Sequence, residues 1–278
     1  MSATTLATFQ SNSSTAEMTK SRLRRAYLTE TKYECLRALR APAFALPFLL
    51  LPITLYVLFG VLLAGNMSHG DKTIAKMMFV NWSVFGIMGP GMFGFGMFVA
   101  TERSQGLLTL KRALPAPQAA YLLSKLIMAL LFSAIVMASV IAAAAGIGHN
   151  GISLAQYVGI MLIDTLGSLP FCAIGLFIGT LASAKSAPGF ANLAYLPFMH
   201  LGGLFYPLPR SVQPLEFFSP AYYLDKLGLR MIGVPSLDQL ANGTGPSSYG
   251  GPLLQIAVLA AITVVFTALA VRRLARVG

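Results

Sequence analysis

Charge is what this sequence has least of. Asp, Glu, Lys and Arg make up 10% of its 278 residues, whereas a soluble domain carries roughly 25% and needs them to cover its water-facing surface. Hydrophobic residues supply 56% and mean hydropathy is +0.70, so the chain reads as a membrane protein. Acidic residues are the scarcest, nine against twenty Lys and Arg. Asp164 is the only acid within a long apolar run, which leaves no material for paired-carboxylate catalysis inside the membrane. Cysteine is down to Cys35 and Cys172, which fall at different depths and argue against a disulfide or a metal site. The three histidines are scattered, His69 and His149 in loops and His200 in an apolar run. A nucleophile elbow, G-x-S-x-G, is missing as well.

What is present is long apolar runs. A spanning helix needs about 20 apolar residues to cross roughly 30 Å of hydrocarbon. Six runs qualify, at about 44–64, 77–100, 121–145, 154–181, 189–206 and 252–271. The fourth is interrupted by Asp164 and Pro170, and the fifth by Pro197 and the pair Gly202-Gly203. The predicted fold is an all-α membrane protein: a disordered Ser/Thr-rich tail over 1–20, an interfacial helix over 21–41 and a six-span domain over 42–278. The tail lacks the apolar core of a signal peptide, and a transit peptide is its other reading.

Placement of the basic residues explains the net charge of +11. Lys20, Arg22, Arg24, Arg25, Lys32, Arg37 and Arg40 precede the first run, Arg103, Lys111, Arg112 and Lys125 surround the second loop, Lys185 follows the fourth run, and Arg272, Arg273 and Arg276 close the chain. These fifteen share one side of a six-span topology, against Lys72, Lys76, Arg210, Lys226 and Arg230 on the other. Positive loops stay inside, so both termini are expected in the cytoplasm of a cell membrane, of the bacterial inner-membrane type. The charge thus serves orientation, and no nucleic-acid partner is implied.

Three stretches need more than spanning. Arg22 to Arg40 lacks Gly and Pro and reads as a helix, with Leu28, Cys35, Leu36 and Leu39 on one side and Lys32 among them; it suits the headgroup layer, or serves as a solvated basic tail. In the stretch from Thr101 to Pro117, Thr101 is placed to cap a helix whose first turn holds Glu102. Leu107, Leu110 and Leu114 then recur at helical spacing before Pro115. Such a ridge outside the bilayer docks on a partner or lies on the membrane surface. From 208 to 232 the chain stays apolar and aromatic, and reads as short external or re-entrant helices. A Gly/Ser/Pro loop follows from Asn242 to Gly251.

Glu102-Arg103, Gly106-Leu107-Leu108, Lys111-Arg112, Leu114-Pro115 and Lys125 together resemble the region between spans two and three of permease subunits of ABC type-2 exporters. Leu196-Pro197, Gly202-Gly203-Leu204-Phe205-Tyr206-Pro207 and Ser219-Pro220-Ala221-Tyr222 resemble that family's fifth-span and external-helix signature. The order of motifs covers nearly the whole chain. The resemblance implies a subunit that pairs with a second copy of itself or a related permease and with two copies of a separate ABC ATPase, surrounded by membrane lipid. It implies that about 101–115 is a coupling helix seated in the ATPase, with Leu107, Leu110 and Leu114 as its ridge, Glu102, Arg103, Lys111 and Arg112 as its polar rim, and Gly106 permitting close approach or a bend. One departure is Ser104-Gln105, which stands where the family often has a second acid. No cofactor is expected on this chain; ATP and magnesium belong to the partner.

Other features carry two readings each. Gly179 to Ser186 comes within one residue of a phosphate-binding loop, with Ala184 where the second Gly should be; it closes an apolar run, so Lys185 reads as an interface anchor. Asp164 is a candidate for the translocation path or a proton site, or is bonded to Thr165, Ser168 or a neighbouring helix. His200 is a second path candidate, or a neutral bonded histidine. Gly86, Gly89, Gly91, Gly94 and Gly96 in the second run, and Gly175-x-x-x-Gly179 in the fourth, suit close helix packing or a helix that deforms. Five methionines, Met77, Met78, Met88, Met92 and Met97, give that second run an adaptable surface. The leading expectation is an ATP-driven exporter subunit moving a drug-like, lipid, glycan or peptide substrate, without an ATPase site of its own. The alternative is a proton-coupled carrier using Asp164, and a membrane enzyme ranks third.

Overall fold

In the computed structural model, residues 20–278 are described apart from 64–71, 108–109, 111–117, 148–149, 210, 243–249 and 278. The 1–19 tail, His69, His149 and the loop over 243–249 therefore lie outside the described residues. Among those described, every regular element is helical. In chain order these are α1 (Lys20–Leu39), α2 (Pro42–Leu55, continuing as a π-helix over Tyr56–Leu63), α3 (Thr73–Gly89), a π-helical turn (Pro90–Gly94), α4 (Phe95–Ser104), α5 (Gln118–Gly146), α6 (Leu154–Gly167) and α7 (Leu169–Leu181). There follow α8 (Ala187–Leu201), a 3₁₀ turn (Gln213–Phe218), α9 (Pro220–Ile232), α10 (Leu237–Asn242) and α11 (Pro252–Val277).

Five stretches are long and apolar enough to cross a membrane: Phe44–Leu63, Thr73–Ser104, Tyr121–Gly146, Leu154–Leu181 and Pro252–Arg276. The expected fifth run over 189–206 differs. Its helix α8 has 15 residues and is about 22 Å long at 1.5 Å per residue, short of the hydrocarbon thickness. Gly203 stops it in a left-handed conformation, φ +68°, and the chain turns through Gly202, Gly203 and Leu204, all buried. Asn81 Nδ2 of α3 donates to the Leu204 carbonyl at 2.5 Å. Irregular backbone at membrane depth is tolerated where protein, not lipid, satisfies it.

The continuous helix of α3, its π turn and α4 is the central post, with every residue from Phe79 to Met92 buried. Its glycines are sockets. A Cβ on Gly89 would lie 2.5 Å from the Phe48 ring, and one on Gly94 would lie 2.8 Å from Phe44, so these two receive the aromatic side chains of α2. Towards α7 the approach is backbone to backbone: a Cβ on Gly96 would meet the Gly175 carbonyl oxygen at 2.6 Å, and one on Gly179 the Gly96 oxygen at 2.5 Å. The Gly175-x-x-x-Gly179 spacing is thus a helix-packing motif within one chain. Since backbone cannot rotate aside as a side chain can, Gly96→Val is expected to destabilise the fold by about 1–3 kcal/mol or more. A lowered unfolding midpoint in detergent reads this, with Gly146→Ala as the control because, among the described residues and apart from its own helix backbone, nothing lies within 4 Å of a Cβ there.

The fourth run holds as one stretch, bent where α6 passes into α7 at Ser168, with Pro170 in the first turn of α7, where it lacks no bond. Ser153 and Gln156 form a reciprocal capping box at the start of α6. The segment after α8 forms the 3₁₀ turn and α9, the latter packed on α3, α6 and α11 and ended by Gly233 at φ +71°. Outward faces of α2 and α11 carry Leu46, Leu50, Leu58, Leu253, Val264 and Val265, all exposed, an apolar surface suited to lipid.

Candidate functional site

The cytoplasmic loop was expected to begin with a separate helix capped by Thr101. Instead the central helix runs through Thr101 and Glu102 to Ser104, and Gly106 breaks it at φ +71°. A Cβ is strained at that angle. A new helical turn starts there: Leu107 is helical and half-buried, and Leu110 N–H donates to the Gly106 carbonyl at 3.2 Å. Leu110 is 61% exposed. Lys111, Arg112 and Leu114 lie outside the described residues.

Glu102, expected on the outer rim, points inward, and its physical reason is a buried ionic cluster. Lys125 Nζ from α5 lies 2.6 Å from Glu102 Oε1 and 2.5 Å from Glu34 Oε2 of α1. Arg37 of α1 pairs with the same Glu102 oxygen, and the Tyr121 hydroxyl donates to Glu102 Oε2 at 2.7 Å. The Phe98 ring sits beneath both cations, 5.2 Å from the Arg37 guanidinium carbon and 5.4 Å from Lys125 Nζ. Lys125 is 0% exposed and Glu102 1%. Among the described residues, the two acids lie against the two bases, which is what makes burial of charge tolerable.

Arg103 turns the other way. Its guanidinium donates to the carbonyls of Thr180 and, at 2.6 Å, Ala182, the last residues of α7 and its cap. Adjacent residues of opposite charge thus fasten the junction to α1 and α5 on one side and to α7 on the other. The leucine-bearing turn after Gly106 is mounted on that junction.

The cluster also corrects the reading of α1. Leu28, Tyr33 and Leu39 are exposed, while Glu34 and Ala38 face the bundle. The docked side is chosen by the ion pair rather than by the apolar residues. Cys35, next to Glu34, has its thiol pushed up by burial and by that carboxylate. Both cysteines are free. Sequence reasoning named Arg37 as a topology charge and Lys125 as a topology charge and motif residue, and assigned no role to Glu34 or Tyr121. The available signal was an acid in an otherwise basic helix and a lysine inside an apolar run.

Asp164 is fully buried, and Ser83 Oγ of α3 donates to its Oδ2 at 2.5 Å. The bond goes to a neighbouring helix, not to Thr165 or Ser168. His200 is exposed, and its Nδ1 lies 2.8 Å from the Leu196 carbonyl of its own helix. The two path candidates do not share a site. Elsewhere, Phe59, Trp82, Phe85, Phe205 and Tyr195 form a run of ring contacts with centroids 4.7–5.9 Å apart. The near phosphate-loop does not fit a nucleotide: Gly179 is packed on Gly96, and Lys185 sits in an exposed turn closed by Ser183 and Ser186.

Comparison with known proteins agrees with this arrangement. Residues 25–227 match the family model described as ABC-2 type transporter. The chain is also 27% identical over 193 residues to YvfS of Bacillus subtilis (strain 168), a protein named as a transport permease, covering 68% of this chain and 78% of that protein.

Proposed function

Because the chain belongs to the ABC-2 type transporter family, we propose that this multi-pass membrane permease component is the transmembrane half of an ATP-driven exporter. It works beside a second copy or a related permease, and two copies of a separate ATPase hold the ATP and magnesium. The observation that carries the reading is the junction at Glu102 and Arg103. Force applied to the turn bearing Leu107 and Leu110 reaches α1, α5 and α7 together, because the two side chains are bonded to all three. Lys111, Arg112 and Leu114 extend the docking surface in this reading. A partner that closes on ATP therefore has a rigid point to push.

For the topology, we take α8 with Gly202–Tyr206 as a sixth crossing. It begins near the Ala182 carbonyl that Arg103 holds, and it reaches Asn81, about two turns from the opposite end of the central helix. Six crossings put both termini on the side with fifteen basic residues, the cytoplasm of a bacterial inner membrane. Substrates of the drug-like, lipid, glycan or peptide class would leave along the interface of two permeases, past the aromatic run of α2, α3 and α8.

Reconstitution in proteoliposomes with and without the ATPase tests this: ATP turnover and outward substrate movement are expected only when both subunits are present. Movement by this chain alone under a proton gradient, indifferent to ATP, would defeat it. The carrier alternative draws on the buried Asp164, so Asp164→Asn separates the two. ATP-driven transport is expected to stay within about threefold of wild type, since Ser83 can still bond the amide; a proton-coupled carrier would lose transport altogether.

A further inference from the structure

At the end of the bundle opposite Glu102, α9, α10 and α11 enclose a cavity of about 70 Å³ whose wall includes Lys226, Arg230, Ser236, Gln239 and Gln255. Gln255 is 0% exposed, and among the described residues neither its Nε2 nor its Oε1 has a hydrogen-bond partner. A buried amide keeps such a position where something in the cavity satisfies it. Ser236 and Lys226 are buried too. Arg230 is held in place by donating to the Gly250 carbonyl at 2.7 Å, just ahead of α11. Gln255 lies in the first turns of that 26-residue helix, where the dipole adds positive potential. Among the described side chains that line the cavity, none is a carboxylate.

Arg230, Lys226 with its Nζ also 5.1 Å from the Tyr222 ring, amide and hydroxyl groups and a helix start converge on this space, which would hold several waters or one tetrahedral oxyanion. The potential selects the anion, because charge-assisted bonds to Arg and Lys are stronger than those of neutral water. Beside it, Leu253, Leu254 and Ile256 are exposed and apolar, a surface along which acyl chains can lie. We propose that this cavity is a binding site for a phosphate group, presented by a lipid headgroup or as the free ion. Neither the transport reading nor the family match assigns such a site.

The test uses the purified full-length chain in detergent, without an ATPase, so its outcome is independent of the exporter reading. Binding of dioctanoyl-phosphatidylglycerol and of inorganic phosphate is measured by native mass spectrometry and titration calorimetry, on wild type, Arg230→Gln and Gln255→Leu. Saturable binding of at least one probe is expected, weakened about tenfold or more in each variant, as loss of a charge-assisted or buried bond predicts. Displacement of the lipid by phosphate assigns the site to the ion; lipid binding that phosphate does not displace assigns it to the headgroup. Either supports the site. Should Gln255→Leu fold poorly, Arg230→Gln at an exposed position still decides. No saturable binding of either probe, or binding unchanged in Arg230→Gln, overturns the proposal.

Discussion

Lys125→Met is expected to cost the folded chain about 3–5 kcal/mol, the penalty for stripping one partner from a buried ionic network. Lys125 is fully buried between Glu34 and Glu102, so removing its charge leaves two carboxylates close together without the cation that lies between them. Arg37 cannot replace it, since its side chain is 40% exposed and shares its charge with solvent. The expected readout is a large fall in the unfolding midpoint in detergent, accompanied by release of α1 to proteolysis. The combination Lys125→Met with Glu34→Gln and Glu102→Gln is expected to recover much of the loss, because neutral replacement of the three buried charges is near neutral and the remaining Arg37, 40% exposed, reaches solvent. If the triple variant is as unstable as the single one, packing and not charge holds this corner.

Leu110→Asp is expected to abolish ATPase association while leaving insertion and stability unchanged. Leu110 is 61% exposed, so the chain alone loses nothing by the change. A docked leucine at a well-packed contact is worth on the order of 2 kcal/mol or more, and placing a carboxylate there adds the cost of desolvating a charge. Copurification with the ATPase and permease-stimulated ATP turnover measure it. Leu107→Asp is expected to do worse to the chain itself, since Leu107 is half-buried. A complex that forms normally with Leu110→Asp would remove this turn from the docking surface and leave the junction as a purely internal brace.

Why some of this was legible beforehand and some not is a matter of range. Spans are local: apolar runs of sufficient length are read directly, and five of the six recur as long helices. The fifth run is helical over only 15 residues, because its apolar count included Gly202 to Tyr206, which are apolar but not helical. Gly203 turns the chain, and Asn81, far away in sequence, pays for the irregular backbone. Thr101 failed for a related reason. A hydroxyl ahead of an acid is a cap signal, yet here it lies in the last turn of a helix already under way. Glu102 looks like an ordinary surface acid until Lys125 and α1 are brought against it.

By itself the sequence determined the solvent, most of the long apolar helices and the family signature, since each depends on composition or on neighbours along the chain. Only the tertiary structure decided that the Glu102-Arg103 pair faces two ways, that the glycines of the central helix are sockets for α2 and α7, and that Gln255 opens onto a cationic cavity. Those are contacts between helices remote in sequence. In a membrane chain with so few charges, where each charge lands is set by which partner can neutralise it.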